Sequence, residues 1–166
     1  MEIRKVTQSD DFNAISRIYA QSWKAAYKGI VPQQYLDELA EDRWAGADIL
    51  KSSSYDVFVM IENGKYIGTS SVCAARDEHM KGWGEIASIY LLPEYFGKNL
   101  GKLLLDSSVS ALLNKGYANV YLWVLERNTA ARKFYEKNGF LLSADRLVIN
   151  KGNKDLMTVQ YTYIAE

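Results

Sequence analysis

The 166 residues set 20 basic against 20 acidic side chains, and 48% are hydrophobic and 24% charged. This fits one soluble globular domain, 1–166, with a sizeable core, and argues against a nucleic-acid binder that works by broad phosphate neutralisation. The lone cysteine, Cys73, excludes an internal disulfide, and no Cys/His cluster offers metal ligands.

Cys73 lies in an apolar run and reads as a buried free thiol. The opening MEIRKVTQSDDF is charged where a signal peptide needs an apolar core, and no apolar run is long enough to span a bilayer. The expectation is a cytoplasmic protein with no membrane and no nucleic-acid partner.

Residues 3–6 read as a first strand. Asp10 or Asp11 caps a helix carrying Phe12, Ile15, Tyr19, Trp23 and Ala26 at helical spacing, and Gly29 ends it. Pro32 suits the first turn of a short helix over 33–39, and a third is predicted over 42–50. The aromatic stretch from Trp23 to Pro32 is either one wall of a substrate cleft or ordinary helix packing and a loop.

Residues 55–62 and 65–75 form a hairpin around Asn63-Gly64, with Gly68 marking a candidate bulge. A polar connection follows, containing the only histidine, His79, which is either a base or simply solvated. Ile86, Ile89, Tyr90 and Leu91 make a buried strand that Pro93 stops. A loop with Gly97, Lys98, Asn99 and Gly101 leads into a helix on which Leu104, Leu105, Ser108, Val109 and Leu112 share a face. A strand running through such a loop into a helix N-terminus is a ready anion site. Lys115-Gly116 closes this helix.

A strand over 119–124 comes next. Asn128 caps a helix over 129–137, on which Asn128, Ala131 and Tyr135 share a face and which Asn138-Gly139 ends. A final hairpin joins 140–149 to 154–163. The order predicts an α/β (α+β) fold: a mixed, mostly antiparallel sheet of six to seven strands with some parallel pairing and helices on both faces.

Two stretches resemble a known family. IYLLPEYFGKNLGKLLL, residues 89–105, resembles the cofactor-binding motif of GNAT-type N-acetyltransferases, and NTAARKFYEKNGF, residues 128–140, resembles the motif that follows it. With the element order, the likeness extends from Ile3 to Ile164. The family pattern in the loop is Arg or Gln, two residues, Gly, one residue, then Gly or Ala. Here Gly101 is kept, Lys98 supplies a cation, Phe96 replaces the Arg or Gln and Asn99 replaces the middle glycine. Asn tolerates left-handed backbone, so the loop can form, with CoA affinity expected below the family's usual level.

The resemblance implies a splayed parallel strand pair holding acetyl-CoA as co-substrate, with no metal. Backbone groups of Tyr90, Leu91 and Leu92 would pair with the pantetheine arm. Gly97, Lys98, Asn99, Leu100, Gly101 and Lys102 would hold the pyrophosphate, and Asn128 would bond the pantetheine side. Glu85 would be the general base, directly or through water, and a glutamate in an apolar strand is expected to have a raised pKa. The alternative is a salt-bridged strand residue. Tyr135 would protonate the leaving thiolate, the alternative being simple packing. A backbone N–H, that of Leu91, would polarise the carbonyl.

The implied reaction is acetyl transfer to a primary amine of a small molecule such as a polyamine, amino acid or amino sugar. Trp23, Tyr27, Tyr35 and Trp83 are candidates for holding the cationic acceptor. The alternatives are a protein or peptide acceptor and a non-catalytic acyl-CoA-binding module. Family members often dimerise, which makes a homodimer an open expectation.

Overall fold

A computed structural model describes residues 1–165. Its elements run β1 (Glu2–Lys5), α1 (Phe12–Ala26), α2 (Gln33–Asp37), α3 (Asp48–Lys51), β2 (Tyr55–Glu62), β3 (Lys65–Ala74), β4 (Gly84–Leu91), α4 (Leu100–Asn114), β5 (Asn119–Leu125), α5 (Thr129–Lys137), β6 (Leu141–Lys151) and β7 (Lys154–Ile164). Single 3₁₀ turns occupy Glu78–Met80 and Pro93–Tyr95. The strands form one seven-stranded sheet, ordered β1-β2-β3-β4-β5-β7-β6, in which only β4 and β5 are parallel.

α1 packs on β3 and β4 from one face, and α4 covers β3, β4 and β5 from the other. Asp11 caps α1, accepting a hydrogen bond from the Ala14 N–H at 3.0 Å. Asp10 is instead a buried carboxylate that binds the Arg4 guanidinium at 2.7 and 2.8 Å. On the α4 face, Leu105, Leu112, Val120, Leu122 and Tyr135 belong to the largest apolar cluster. Cys73 is buried, as expected.

The helix expected over 42–50 is reduced to Asp48–Lys51. Trp44 is drawn onto α1, where Ser16 Oγ accepts its backbone N–H at 2.9 Å and its ring stacks on Tyr19 at 5.5 Å. That tertiary contact, with Gly46 beside it, holds the segment as turns. The β2–β3 pairing slips between Met60 and Ile61, so the bulge falls at Ile67, beside Gly68. Gly68 answers a different need. A Cβ there would come within 2.6 Å of Leu91 Cδ2 and 3.3 Å of the Tyr90 carbonyl.

The pairing of β4 with β5 positions the site. It consists of Gly84 opposite Val120 and Glu85 opposite Tyr121, and then stops. On its other edge β4 stays paired to β3, but Ser71 faces Ser88 while Val72 faces Ile86, so Ala87 is the extra residue of a bulge. A bulge adds local twist and turns the strand from its neighbour. β4 and β5 therefore diverge into a wedge that opens toward Leu91 and Leu125. Helices on both faces and a splayed parallel pair match the expected fold.

Candidate active site

The wide end of the wedge meets the loop before α4. Gly97 has φ +73° and Asn99 φ +62°, ψ 6°. Asn99 thus takes the left-handed conformation that its position required and sits at the helix N-cap without making a side-chain cap bond. The N–H groups of Leu100, Gly101 and Lys102 open a 15-residue helix, where they have no intrahelical acceptor and face the positive end of the dipole. A Cβ on Gly101 would lie 3.4 Å from the Phe134 ring, so this glycine lets α5 approach the first turn of α4.

The two lysines of the loop differ. Lys102 is tied to Asp106 at 2.5 Å and offers chiefly its backbone N–H. Lys98 Nζ lies 5.0 Å from the Tyr95 ring centroid, held near the loop by a cation–π contact. Phe96, at the position of the family's Arg or Gln, is 44% exposed and contributes no charge. Asn99→Gly is expected to bind CoA as tightly as the native chain or more so. Asn99→Ala should weaken binding about fivefold, since a Cβ without a compensating side-chain dipole costs about 1 kcal/mol in left-handed backbone. Isothermal calorimetry reads both, and weaker binding by the glycine variant would refute this account of the loop.

The strand edge facing the wedge differs in part from the sequence expectation. The Leu92 N–H is spent on the Ile67 carbonyl of β3 at 2.8 Å. Facing alternates along a strand, so Tyr90 also points its backbone groups at β3, while Ile89 and Leu91 point theirs into the wedge. The edge that faces the wedge is therefore Ile89 and Leu91. Ile89 went unrecognised because a sequence does not tell which strand edge each residue faces. Asn128 caps α5 by accepting the Ala131 N–H at 3.2 Å through Oδ1, leaving Nδ2 as the end that can donate to a ligand.

Tyr135, on α5, is 8% exposed and packs against Phe134, Phe140 and Tyr161. Burial raises its phenol pKa, and the nearby Tyr90 phenol raises it further. Tyr27 responds the same way. Burial pushes it up to about 12, the Tyr90 hydroxyl pulls it back, and Tyr135 adds to the rise. The phenols of Tyr27 at the C-terminal end of α1, Tyr90 on β4 and Tyr135 on α5 thus lie close to one another.

Glu85 sits at the apex, 2% exposed. The Arg76 guanidinium meets both its carboxylate oxygens, at 2.6 and 3.1 Å. The Arg76 backbone N–H donates at 3.0 Å, and the Tyr121 hydroxyl donates at 2.8 Å across the last β4–β5 pair. Burial alone would raise the carboxyl pKa, but these donors outweigh it, and the pKa is lowered. The expectation of a raised pKa is reversed, and the salt-bridged alternative describes Glu85 as found. Arg76 and Tyr121 went unnoticed because neither is near Glu85 in sequence.

The aromatic candidates divide. Trp23 and Tyr27 lie 5.0 Å apart, centroid to centroid. Trp23 continues to Trp44 and Tyr19, and Tyr19 reaches Tyr90 at 4.9 Å. These five rings form one packed aromatic cluster beside α1. Tyr35 stands at its edge, packed under the tip of the β6–β7 hairpin. Trp83 does not join them. It precedes the narrow end of the wedge, where its carbonyl accepts the Ala75 N–H. His79 is exposed on its 3₁₀ turn, away from the wedge. Among the described residues no group of three or more His, Cys, Asp or Glu could hold a metal, and no helix is long and apolar enough to cross a membrane.

A family model described as "Acetyltransferase (GNAT) family" matches residues 13–140. The chain belongs to the GNAT family. It is an acetyl-CoA-dependent N-acetyltransferase by that membership. Over 125 residues, the chain is 34% identical to the uncharacterized N-acetyltransferase YuaI of Bacillus subtilis, covering 72% of this chain and 69% of the relative. Over 145 residues it is 26% identical to the spermidine N(1)-acetyltransferase of Thermoplasma acidophilum, covering 84% and 88%. A crystal structure of the PaiA N-acetyltransferase of Thermoplasma acidophilum in complex with coenzyme A superposes with TM-score 0.73 at 22% identity, covering 99% of both chains.

Proposed function

We propose that this GNAT enzyme transfers the acetyl group of acetyl-CoA to the primary amine of a small molecule. The observation that carries the acceptor class is the seating of the β6–β7 hairpin tip on α2, beside the aromatic cluster. Gly152, at the tip of the β6–β7 hairpin, is packed so tightly on α2 that a Cβ would meet Tyr35 Cβ at 2.9 Å and Pro32 Cγ at 3.2 Å. A peptide lying across the sheet needs an open groove, and this contact shuts one side. The relative named for spermidine supports the same reading.

In this reading the N–H groups of Leu100, Gly101 and Lys102 hold the pyrophosphate, aided by Lys98 and the Gly97–Asn99 turn. Ile89 and Leu91 pair with the pantetheine, and Asn128 Nδ2 donates to it. The Leu91 N–H polarises the thioester carbonyl. The neutral amine, held among Trp23, Tyr27 and Tyr90, attacks the carbonyl carbon. The C–S bond breaks, and the Tyr135 hydroxyl donates a hydrogen bond to the departing sulfur. The proton shed by the amine passes to water, because the oxygens of Glu85 are already taken.

Thiol release from acetyl-CoA, with small amines set against lysine-containing peptides, tests the assignment. Turnover confined to small amines is the expected result. Faster turnover of the peptides would replace the acceptor class. Coenzyme binding without thiol release on any amine would make the chain a binding module.

A further inference from the structure

The α1 side of the sheet holds buried donors without acceptors and, beside the aromatic cluster, a positive charge without a counter-ion. The Trp23 indole N–H is buried and unpartnered. It is directed toward the Tyr90 hydroxyl, whose pKa it lowers, without reaching hydrogen-bond geometry. Gln160 is 1% exposed, and its Nε2 is likewise unpartnered, although Oε1 accepts from Ser143. By the two-residue period of β7, Gln160 shares a sheet face with Leu156, which packs with Val31, Leu36 and Trp23. Two buried donors on the α1 side of the sheet therefore lack acceptors, which native interiors seldom tolerate without a ligand or water.

The charge comes from Lys151, at the end of β6. Its Nζ lies 5.7 Å from the Trp23 ring centroid. The hairpin that carries it is anchored by the contact of Gly152 with Pro32 and Tyr35 and by Lys154, whose Nζ donates to the Ile30 carbonyl at 3.4 Å. Among the described residues neither Lys151 nor Lys154 takes part in an ion pair. Glu85, buried on the sheet, is already neutralised by Arg76. A neighbouring depression of about 100 Å³ sets Glu126 and Asp155 against Arg127 and Lys154, with no net charge. A polyamine bound beside the aromatic cluster would bring second and third cations next to Lys151, with no spare carboxylate there. A carboxylate would find the Lys151 ammonium.

We infer that the acceptor is a small amino carboxylate, with the Lys151 ammonium receiving its carboxylate while the amine points to the wedge. This rests on the small-molecule reading above and narrows its substrate class. Lys151 is thereby a specificity-determining residue.

The test compares kcat/KM for pairs matched in length, β-alanine with 1,3-diaminopropane and 4-aminobutyrate with 1,4-diaminobutane, and adds spermidine. The amino carboxylate should be preferred by at least about tenfold in the better pair, above both the diamine and spermidine. Lys151→Met should shrink that ratio to within about threefold, and Lys151→Glu should invert it. Equal or better use of the diamine or spermidine by the native enzyme, or a ratio unmoved by Lys151→Met, overturns the inference. If no amine is acetylated, the enzymatic reading fails separately, and tryptophan-fluorescence titration with the same pairs then decides. Tighter binding of the amino carboxylate, lost in Lys151→Met, sustains the inference, and equal or weaker binding overturns it.

Discussion

Tyr135→Phe is expected to lower kcat by about 10²-fold at neutral pH, within the range for losing a positioned proton donor. Phenylalanine keeps the ring that packs on Phe134, Phe140 and Tyr161, so the melting temperature should hardly move. Coenzyme affinity should hold as well, because the contacts proposed for the pyrophosphate and pantetheine lie on α4, β4 and Asn128 and do not use the Tyr135 hydroxyl. The raised pKa of the phenol shapes the pH profile. The hydroxyl stays protonated throughout the working range, so a donor is always present. Full transfer from such a phenol to a thiolate, whose conjugate acid has a pKa near about 8.5, would run uphill. In the proposed mechanism Tyr135 therefore serves mainly as a hydrogen-bond donor to the sulfur as charge develops there. No basic limb in kcat should be assignable to it below about pH 10. Stopped-flow thiol detection across pH 6–10 checks this, and turnover within about threefold of the native value would remove Tyr135 from the reaction.

How far the sequence carries depends on whether a feature is local. The Asn99 turn was legible because a left-handed residue before a helix leaves its mark in two or three neighbouring positions. The α5 cap at Asn128 and the Asn63-Gly64 hairpin were legible for the same reason, with φ of +50° and +77° in the latter. What failed was set by contacts between distant residues. Trp44 could not be foreseen to lie on Tyr19, and that contact replaces most of a helix with turns. The bulge at Ala87 could not be read from ASIYLL, yet it opens the wedge and restores the facing that sends Ile89 and Leu91 toward it. Trp83 looked like Trp23 in composition, but it stands before the other end of β4. Lys151 looked like one of many surface lysines until the hairpin placed it over an indole.

Arg76→Ala is expected to do more damage to stability than Glu85→Gln, and to change how stability depends on pH. In the native chain the Glu85 carboxyl pKa is depressed, so the unfolded state binds more protons in the acid range. The contribution of Glu85 is then fully present above the unfolded value, near about 4.5, and is lost as pH falls through the lower folded value. Removing Arg76 leaves a nearly inaccessible carboxylate with only Tyr121 and a backbone N–H as donors. Burial then prevails, the folded pKa rises, and the sign reverses: stability falls as pH climbs through and above about 4.5. The cost at neutral pH should be about 2 kcal/mol, below the usual range for a fully buried pair because the Arg76 side chain is 53% exposed. For a domain of this size that lowers Tm by about 4–8 °C. Glu85→Gln removes the buried charge, keeps an acceptor for Tyr121 and lets Arg76 turn to water, so it should cost less. It should also leave the midpoint of the acidic limb of kcat/KM unmoved, since in the proposed mechanism the amine's proton passes to water. Thermal melts from pH 3.5 to 8, set beside the two pH–rate profiles, decide the matter. An acidic limb flattened in Glu85→Gln would make Glu85 the base after all. A native-like pH slope in Arg76→Ala would mean that Arg76 does not govern the Glu85 carboxyl.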